Sequence, residues 1–379
     1  MKVLITGGAG FIGSHTADAL IAKGYQVRIL DSLHKTVHPK GKPDYIHPDA
    51  EFIQGDVRKK EDLKNALKDV DAVYHFAAYQ DYLPDFSTYF HVNSVSTALL
   101  YELIVEQKLE RNIRKVIVAA SQAVMGEGRY HCPNCSPDKK EFLYPEIRLE
   151  EQLSHGQWEH LCRKCDRALQ WLPSDESVIN PCNQYAISKY SQEQIAIQLG
   201  KRYDIPSVAM RYSIVQGPRQ SFYNAYSGAM RIFALSLYFE HQPTIFEDGK
   251  QIRDYVNIQD VVNANLTVLE NPEAANRVFN VGGGKAWTVA DFYSTMQEVA
   301  GKFVPPMLSG FYRYGDTRHI FSDTGNLEAI GWKPTRGIRE SIESYWDYLN
   351  RQDEIDDILE YAGKHMKSLQ VIRTVKHSR

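Results

Sequence analysis

The sequence predicts an α/β fold, with a doubly wound parallel sheet, a smaller α/β domain and a small cysteine-rich insertion. Three observations predict it. A glycine-rich turn follows the first β-branched run, extended and helical stretches then alternate along the chain, and two Cys-x-x-Cys pairs interrupt that alternation. Strands that alternate with helices are joined by right-handed crossovers, which give a parallel sheet with helices on both faces.

The alternation begins at the first residues. Short apolar runs rich in β-branched residues predict strands at 2–6, 26–30, 52–53, 72–76, 116–120 and 208–212. Helical periodicity predicts helices at 14–23, 60–67, 95–106 and 185–199. Residues 127–175 break the rhythm with Gly, Pro, Cys, His and charged residues, which indicates an insertion.

Five segments are expected from this pattern. The sheet domain takes residues 1–126 and, after the insertion at 127–175, continues with a helix and a strand in 176–215. Residues 216–350 are mixed and loop-rich, which suits mostly a smaller substrate-capturing domain. The charged tail at 351–379 is expected to form a solvated surface helix.

Composition limits the partners. The chain has 379 residues, of which 43% are hydrophobic and 24% charged, as in ordinary globular proteins. Its formal charge of −3 offers no basic field for nucleic acid or an anionic membrane. No apolar run approaches the roughly 20 residues that span a bilayer. We therefore expect a cytoplasmic protein without a nucleic-acid or membrane partner.

The glycine-rich turn predicts a dinucleotide site. Gly7, Gly10 and Gly13, with Phe11 and Ile12 between the last two, lie between the first strand and the first helix. There, backbone N–H groups and the helix dipole can hold a pyrophosphate. A glycine triplet alone is a weak signal, but strand, turn, helix and a later acidic residue occur here in the required order.

The later acidic residue favours NAD over NADP. Asp31 ends the second predicted strand, where its carboxylate can accept hydrogen bonds from ribose hydroxyls and would repel a 2′-phosphate. A helix N-cap is the alternative role for this side chain. Asp56 and Val57 follow the third strand and are expected near the adenine, although a plain turn aspartate is a serious alternative there.

Ser121, Tyr185 and Lys189 form the predicted catalytic group. Tyr185 and Lys189 are four residues apart, so on a helix they share one face. A tyrosine titrates near about 10, and a neighbouring ammonium can lower that pKa toward neutrality. We therefore expect Tyr185 to act as acid and base, with the Ser121 hydroxyl orienting the same substrate oxygen.

These residues resemble the extended short-chain dehydrogenase/reductase family of nucleotide-sugar epimerases and dehydratases over roughly residues 1–350, outside the insertion. Further segments similar to that family's motifs are His75-Phe-Ala-Ala78, Asn93, Arg211-Tyr212, Gly217-Pro-Arg-Gln220, Arg253-Asp-Tyr-Val256, Asn280-Val-Gly282 and Arg313-Tyr-Gly-Asp316. The resemblance implies a Rossmann-type sheet, a bound NAD, a nucleotide-diphosphate sugar as substrate and a homodimer that uses the helix bearing Tyr185.

The resemblance also implies roles for individual residues. The nicotinamide side would be lined by Ala77, Ala78, Asn93 and Tyr212, together with Tyr185 and Lys189. The substrate would be contacted by Gln122, Arg219, Arg253 and Arg313. Two guanidinium groups suit the diphosphate, because a net-negative protein would otherwise repel it.

Departures from the family pattern narrow the chemistry. Where 4,6-dehydratases carry an acid two residues after the catalytic serine, this chain has Ala123, and the cysteine of 3,5-epimerising relatives is also missing from this stretch. The reaction that remains for this family is reversible oxidation at one carbon of the sugar, most simply C4. Ile214 and Gln216 replace a usual asparagine and tyrosine, which predicts a more apolar sugar pocket, as a 6-deoxy sugar would tolerate.

The cysteine pairs predict zinc. Cys132, Cys135, Cys162 and Cys165 form two knuckles at the spacing of a zinc ribbon. Disulfides or free thiols are the alternatives, and a reducing cytosol disfavours disulfides. Four thiolates leave no open position for water, so a structural role is expected. Because the insertion falls between Ser121 and Tyr185, we expect it to cover or shape the substrate site.

Together with the run 211–222, the insertion makes the chain similar to bacterial dTDP-L-rhamnose 4-epimerases, which make dTDP-6-deoxy-L-talose. UDP-glucose or UDP-hexuronate 4-epimerase is the alternative, and a 4,6-dehydratase a further one. A non-catalytic NAD-sensing or nucleic-acid-binding module is the alternative from another class. It would not need Ser121, Tyr185 and Lys189 together, and the ribbon is rich in glutamate rather than basic.

Overall fold

The structure is a computed structural model that describes residues 1–81, 83–222, 228–308, 310–360, 364 and 368–376. Its strands are β1 (Lys2–Thr6), β2 (Gln26–Asp31), β3 (Glu51–Gln54), β4 (Ala72–His75), β5 (Lys115–Ser121), β6 (Arg129–His131), β7 (Gln170–Leu172), β8 (Ser207–Tyr212), β9 (Ile214–Gln216), β10 (Thr244–Ile245), β11 (Ile252–Asn257), β12 (Arg277–Val281), β13 (Ala286–Thr288), β14 (Met307–Leu308), β15 (Phe311–Arg313) and β16 (Ile372–Thr374).

The helices are α1 (Phe11–Ala22), α2 (Lys60–Ala66), α3 (Phe86–Tyr89), α4 (Ser96–Glu106), α5 (Glu150–Ser154), α6 (Gln184–Arg202), α7 (Ala229–Tyr238), α8 (Ile258–Glu270), α9 (Val289–Ala300), α10 (Gly325–Glu328) and α11 (Ile338–Asn350). A π-helical turn (Phe90–Val95) precedes α4, and 3-10 turns occupy Gln122–Met125 and Pro272–Ala274. Within the described residues, no helix is both long and apolar enough to cross a membrane.

The central sheet has seven strands in the order β12-β8-β5-β4-β1-β2-β3, and every neighbouring pair is parallel. Strands β1, β4 and β5 are buried over nearly their whole length, as the apolar runs predicted. The strand order reverses between β1 and β4, and such switch points are where doubly wound sheets bind ligands. The predicted fold class is confirmed.

Helices cover both faces of this sheet. One core contains Ala17 and Leu20 of α1 and Val261 of α8, packed against β1, β2 and β4. The other contains residues of α2, α4 and α6, packed against the opposite face. Two buried layers of this kind hold the strand ends at fixed positions, and these ends carry the candidate site.

The smaller lobe has its own core. Strands β9, β11 and β13 form a mixed sheet, and α7, α9 and α11 pack against it around residues such as Phe233, Phe292 and Tyr345. The segment 216–350 is not all part of this lobe. Helix α8 and strand β12 return to the large sheet, where β12 pairs with β8, because their apolar residues fill the first core.

The insertion folds as a small unit on the catalytic edge. Strands β6 and β7 pair in antiparallel fashion, and Tyr130, Cys132, Cys162 and Leu169 form a separate apolar cluster. The expectation of a solvated helical tail is wrong at Ile372–Thr374, which form a strand. Strand β16 pairs with β15, because Val371 and the backbone that follows complete an edge that β15 leaves open.

Candidate active site

A cleft of about 690 Å³ lies where the carboxyl ends of β5 and β8 face the smaller lobe and the insertion. Ser121 and Tyr212, the last residues of those two strands, both line it. Of the predicted site residues, the cleft brings together Ile12, Ala78, Ser121, Gln122, Tyr185, Lys189, Tyr212, Arg253 and Arg313.

The glycine-rich turn has the geometry expected of a pyrophosphate cradle. Gly7 has φ +68°, and a Cβ there would lie 2.7 Å from the amide nitrogen of Ala77. A Cβ on Gly13 would lie 2.5 Å from the carbonyl oxygen of Gly7, so α1 can pack against the turn only with glycine at this position. Phe11 and Ile12 begin α1 directly after Gly10.

The beginning of α1 suits an anionic group. The N-cap is Gly10, no side chain caps the helix and its first turn contains no acidic residue. The first N–H groups of a helix and its dipole attract phosphate. This end of α1, with the cradle that glycine leaves open, fits the diphosphate of a dinucleotide.

Asp31 fastens the turn to the end of β2. Its carboxylate accepts hydrogen bonds from the backbone N–H of Ala9 at 3.0 Å and of Leu33 at 2.9 Å. It is therefore not a helix N-cap, and its place beside the glycine-rich turn agrees with a ribose contact. Asp56 forms a turn, accepting from the N–H of Arg58 at 2.9 Å and pairing with that guanidinium, whereas Val57 is buried in the second core.

Asn93 does not line the cleft as expected. It is fully buried, accepts a hydrogen bond from the N–H of Tyr79 at 2.8 Å and donates to the Ser188 hydroxyl at 2.9 Å. It thereby ties the loop after β4 to α6. Ala77 also lies behind the cleft, against Gly7, and only Ala78 of this pair reaches the lining.

The three predicted catalytic residues meet in the cleft. Asn183 caps α6 by accepting a hydrogen bond from the N–H of Ala186, which sets Tyr185 in the first turn. Burial raises the pKa of Tyr185, and a hydrogen bond with Ser121 partly opposes that rise. Burial lowers the pKa of Lys189 to about 7.

The expected effect of Lys189 on the phenol is not among the causes that set the pKa of Tyr185 in the protein alone. The ammonium donates to the carbonyl of Ala119 at 2.7 Å and to the side chain of Gln192 at 2.9 Å. Burial therefore favours the protonated form of the phenol in the protein alone, and the pKa of Tyr185 is raised.

A buried polar network beneath the cleft was not predicted. The Gln122 amide donates to the hydroxyls of Ser213 at 3.0 Å and Ser322 at 2.8 Å, and Ser213 donates to Asp254 at 2.7 Å. Gln122 was predicted to contact substrate, but its amide nitrogen is already hydrogen-bonded to these two protein hydroxyls. These partners come from separate elements, and no spacing in the sequence relates them.

Two of the three predicted substrate arginines lie in the cleft, on either side of one carboxylate. Asp316 accepts from the Arg313 guanidinium at 2.7 Å and, more weakly, from Arg253 at 3.5 Å. Arg219 is not among the residues that line the cleft. It pairs with Asp18 of α1 at 2.7 Å and lies over the Tyr45 ring, because φ +67° turns it toward the dinucleotide turn.

Tyr212 faces the cleft with its ring only, because its hydroxyl donates to Asn265 at 2.6 Å. The lining also includes residues that the sequence did not single out. Ile147 comes from the insertion, Ile320 from the smaller lobe and Val371 from the tail. Together with Ile214 they add apolar side chains to the lining.

The four paired cysteines converge as predicted. Their sulfur atoms all lie within 4.8 Å of one another, with Cys132 and Cys165 3.6 Å apart and Cys135 and Cys162 3.9 Å apart. Sulfurs bound to one tetrahedral zinc at about 2.3 Å would be about 3.8 Å apart. The four-thiol donor set therefore fits zinc.

The parallel sheet, the glycine-rich turn and the Ser121, Tyr185 and Lys189 cleft define an enzyme of the extended short-chain dehydrogenase/reductase class. A profile of the NAD dependent epimerase/dehydratase family matches residues 3–147 and 168–282. This chain belongs to that family, and the prediction of an NAD-dependent enzyme is confirmed. The unmatched residues 148–167 lie inside the insertion.

Individual relatives agree with the family. A dTDP-L-rhamnose 4-epimerase from Burkholderia thailandensis is 29% identical over 350 residues, which cover 90% of this chain and 93% of that protein. A putative UDP-glucose 4-epimerase from Methanocaldococcus jannaschii is 30% identical over 354 residues, covering 93% and 99%. The structure of a UDP-glucose 4-epimerase from Thermotoga maritima with UDP-glucose has a TM-score of 0.75 at 26% identity, covering 93% and 100%.

Proposed function

We propose that this chain is a nucleotide-sugar 4-epimerase that uses bound NAD for transient oxidation at C4. The observation that carries the proposal is that Ser121, Tyr185 and Lys189 line one cleft together with Arg253 and Arg313. An acid/base group and two guanidinium groups suited to a diphosphate would then surround the same space. The relatives from B. thailandensis and M. jannaschii, a 4-epimerase and a putative one, support the same chemistry.

The glycine-rich turn, the beginning of α1 and Asp31 would hold NAD, which supplies reversible acceptance of a hydride. Tyr185 in its deprotonated form would take the proton from the C4 hydroxyl as the hydride leaves C4. After the 4-keto sugar has turned over, the hydride would return to the other face of C4 and Tyr185 would return the proton to the oxygen. Ser121 orients the oxygen. Lys189 would help to stabilise the phenolate, which burial disfavours, and a bound oxidised cofactor would supply a further positive charge there.

Epimerisation is favoured over dehydration because the residue two after Ser121, where 4,6-dehydratases carry an acid, is alanine in this chain. Ala123 occupies that place and lines the cleft. Asp316 also faces the cleft, but Arg313 holds its carboxylate, and the pKa of Asp316 is lowered because the two guanidinium charges outweigh burial. A paired carboxylate of this kind is a poor proton donor.

For the sugar, we propose dTDP-L-rhamnose, with dTDP-6-deoxy-L-talose as product. A 6-deoxy sugar presents a methyl group, and Ile147, Ile214, Ile320 and Val371 give the cleft an apolar wall. The B. thailandensis relative supports this choice. UDP-glucose is the alternative supported by the M. jannaschii and T. maritima proteins.

The test is incubation of the purified protein with dTDP-L-rhamnose, UDP-glucose and UDP-glucuronate, with C4 configuration followed by proton NMR. We expect inversion at C4 of dTDP-L-rhamnose without accumulation of NADH. Inversion of a UDP-sugar alone would show that the substrate is a UDP-sugar and not dTDP-L-rhamnose. Loss of water would show that the enzyme is a dehydratase and not an epimerase. No change with any of these sugars would overturn the proposal.

We also propose one structural zinc per chain, bound by Cys132, Cys135, Cys162 and Cys165. The mutual distances of the four thiols support it, and four thiolates fill a tetrahedral shell without a position for water, which agrees with a structural role.

A homodimer formed by α4 and α6 is proposed as the assembly. These two helices pack side by side, and their outer face includes Val95, just before α4, and Ile187, which are 49% and 42% exposed. A two-fold interface between identical faces would cover both. Light scattering coupled to size-exclusion chromatography measures the mass directly, and a monomer would contradict the proposal.

A further inference from the structure

The insertion joins the substrate lobe through a buried ion network. Arg148 and Glu159 lie within the stretch that the family profile does not match. Arg148 pairs with Glu247 at 2.8 Å, and both side chains are 1% exposed. Arg318, which is fully buried, pairs with Glu247 at 3.0 Å and donates to Glu159 at 3.0 Å. The network therefore crosses from the insertion to the smaller lobe.

Arg148 uses both terminal nitrogens. One donates to Glu247 at 2.9 Å and to the carbonyl of Trp158 at 2.9 Å, so it also fixes the insertion's own chain. The other donates to Glu247 at 2.8 Å and to the backbone carbonyl of Asp316 at 2.8 Å. Only a planar guanidinium fork can make these contacts together.

The contact with Asp316 reaches the cleft. The carboxylate of that residue holds Arg313 at 2.7 Å, and the next carbonyl, of Thr317, accepts from Arg253 at 2.8 Å. The backbone of 316–318 thus sets the positions of both arginines that would grip a diphosphate. Arg148 itself does not line the cleft.

The cysteine cluster continues into the same network. His160, two residues before Cys162, donates to the Glu127 carboxylate at 2.9 Å, and that carboxylate also accepts from the N–H of Arg318 at 2.8 Å. His319 pairs with Glu159 at 3.0 Å. The cluster and the loop 316–318 are therefore linked by consecutive buried contacts.

We propose that Arg148 is a positioning residue that couples the four-cysteine module to the substrate arginines Arg253 and Arg313. The inference rests on the proposed function, because it assigns those arginines to the diphosphate. The module thereby sets the affinity of the protein for the nucleotide part of the substrate. NAD binding at the glycine-rich turn, which is built from β1, α1 and β2, does not depend on the module.

The test replaces the buried pair Arg148 and Glu247 by the double variant Arg148→Met, Glu247→Met. Apolar residues of similar length avoid leaving a buried charge alone, and Arg318 keeps Glu159 and Asp248 as partners. Arg339→Gln, which removes an exposed ion pair with Glu298, is the matched control. Isothermal titration with dTDP and with UDP measures nucleotide binding apart from chemistry.

We expect the double variant to bind whichever of dTDP and UDP the unaltered protein prefers about tenfold more weakly or worse. KM should rise in parallel, while kcat stays within about threefold and the NAD content is unchanged. Nucleotide affinity equal to that of the unaltered protein would overturn the inference. If the unaltered protein binds neither nucleotide, the proposed function fails instead.

Should circular dichroism show that the double variant is unfolded, Arg148→Lys provides the same test. Lysine keeps the charge beside Glu247 but cannot reach Asp316 and Trp158 at the same time. The same loss of nucleotide affinity with unchanged NAD content is expected, and unchanged affinity in this variant would contradict the inference.

Discussion

The ammonium of Lys189 lies 6.0 Å from the centre of the Tyr185 ring and donates its hydrogen bonds to Ala119 and Gln192 instead of the phenol. Lysine and tyrosine share one face of α6, one turn apart, but the cation is not among the causes that set the pKa of the phenol in the protein alone. Burial opposes the charged form of both groups, raising the pKa of Tyr185 and lowering that of Lys189.

Tyr185→Phe should abolish most of the activity while leaving the fold and the NAD content unchanged. The variant keeps the ring but loses the acid/base group, whose contribution is on the order of 10²–10⁴ in rate. Proton NMR measures inversion at C4, and the absorbance of cofactor released from the protein measures the NAD content. Tyr190→Phe, on the same helix but outside the cleft lining, is the control. Equal rates for the unaltered protein and Tyr185→Phe would refute the assignment.

Lys189 should make stability depend on pH. Its pKa is about 7 in the folded protein against an ordinary value of 10.5, so between these limits the unfolded chain binds the extra proton. Stability therefore rises with pH across this window, by up to about 1.4 kcal/mol per unit, and the gain is lost as pH falls toward 7.

Lys189→Met lacks this titration, so its unfolding free energy relative to the unaltered protein should improve from pH 10 down to pH 7. Urea titrations at several pH values measure the difference. Lys201→Met, at the exposed end of the same helix, should show no such trend. Parallel stability curves for Lys189→Met and the unaltered protein would contradict the buried-lysine account.

Gly13→Ala should displace the glycine-rich turn. The added Cβ would lie 2.5 Å from the carbonyl oxygen of Gly7 and 2.7 Å from Gly8 Cα, and neither backbone atom can yield cheaply. We expect a loss of stability on the order of 1–3 kcal/mol together with loss of NAD. Thermal unfolding and cofactor content measure both effects.

Gly10→Ala is the matched comparison for Gly13→Ala. Its closest contact would be 3.2 Å, and φ is −73°, so little strain is expected within the protein. If Gly10 approaches the pyrophosphate as proposed, this variant keeps its melting temperature but retains less NAD. If Gly10→Ala and Gly13→Ala destabilised the protein equally, the backbone clash at position 13 would not explain the effect of Gly13→Ala.

Metal analysis should find about one zinc per chain. Chelation should expose residues 127–175 to protease before the dinucleotide half unfolds, because the apolar cluster of the insertion is small and contains two of the cysteines, Cys132 and Cys162. Cys132→Ser should abolish zinc binding and Cys182→Ser should not, since Cys182 lies outside the cluster. Metal-free protein, or cleavage equally fast with and without chelator, would refute the zinc proposal.

Local sequence patterns determined the large sheet, the glycine-rich turn, the group of Ser121, Tyr185 and Lys189, and the four cysteines. Each of these depends on short spacings: a period of two or 3.6 residues, a glycine that must avoid a backbone clash, or two residues one helical turn apart. Such constraints act within a few residues, so a single sequence displays them.

Only the tertiary structure decided which polar groups remain available to a ligand. In the folded chain, Asn93 is buried against Ser188, the amide of Gln122 is hydrogen-bonded to Ser322, and Arg219 pairs with Asp18. Ile147 and Val371, in contrast, line the cleft. The tertiary structure also joined Arg148 to Asp316 across 168 positions of chain. Partners so far apart in sequence meet through packing, and charge or hydrogen-bonding capacity alone does not specify which of them pair.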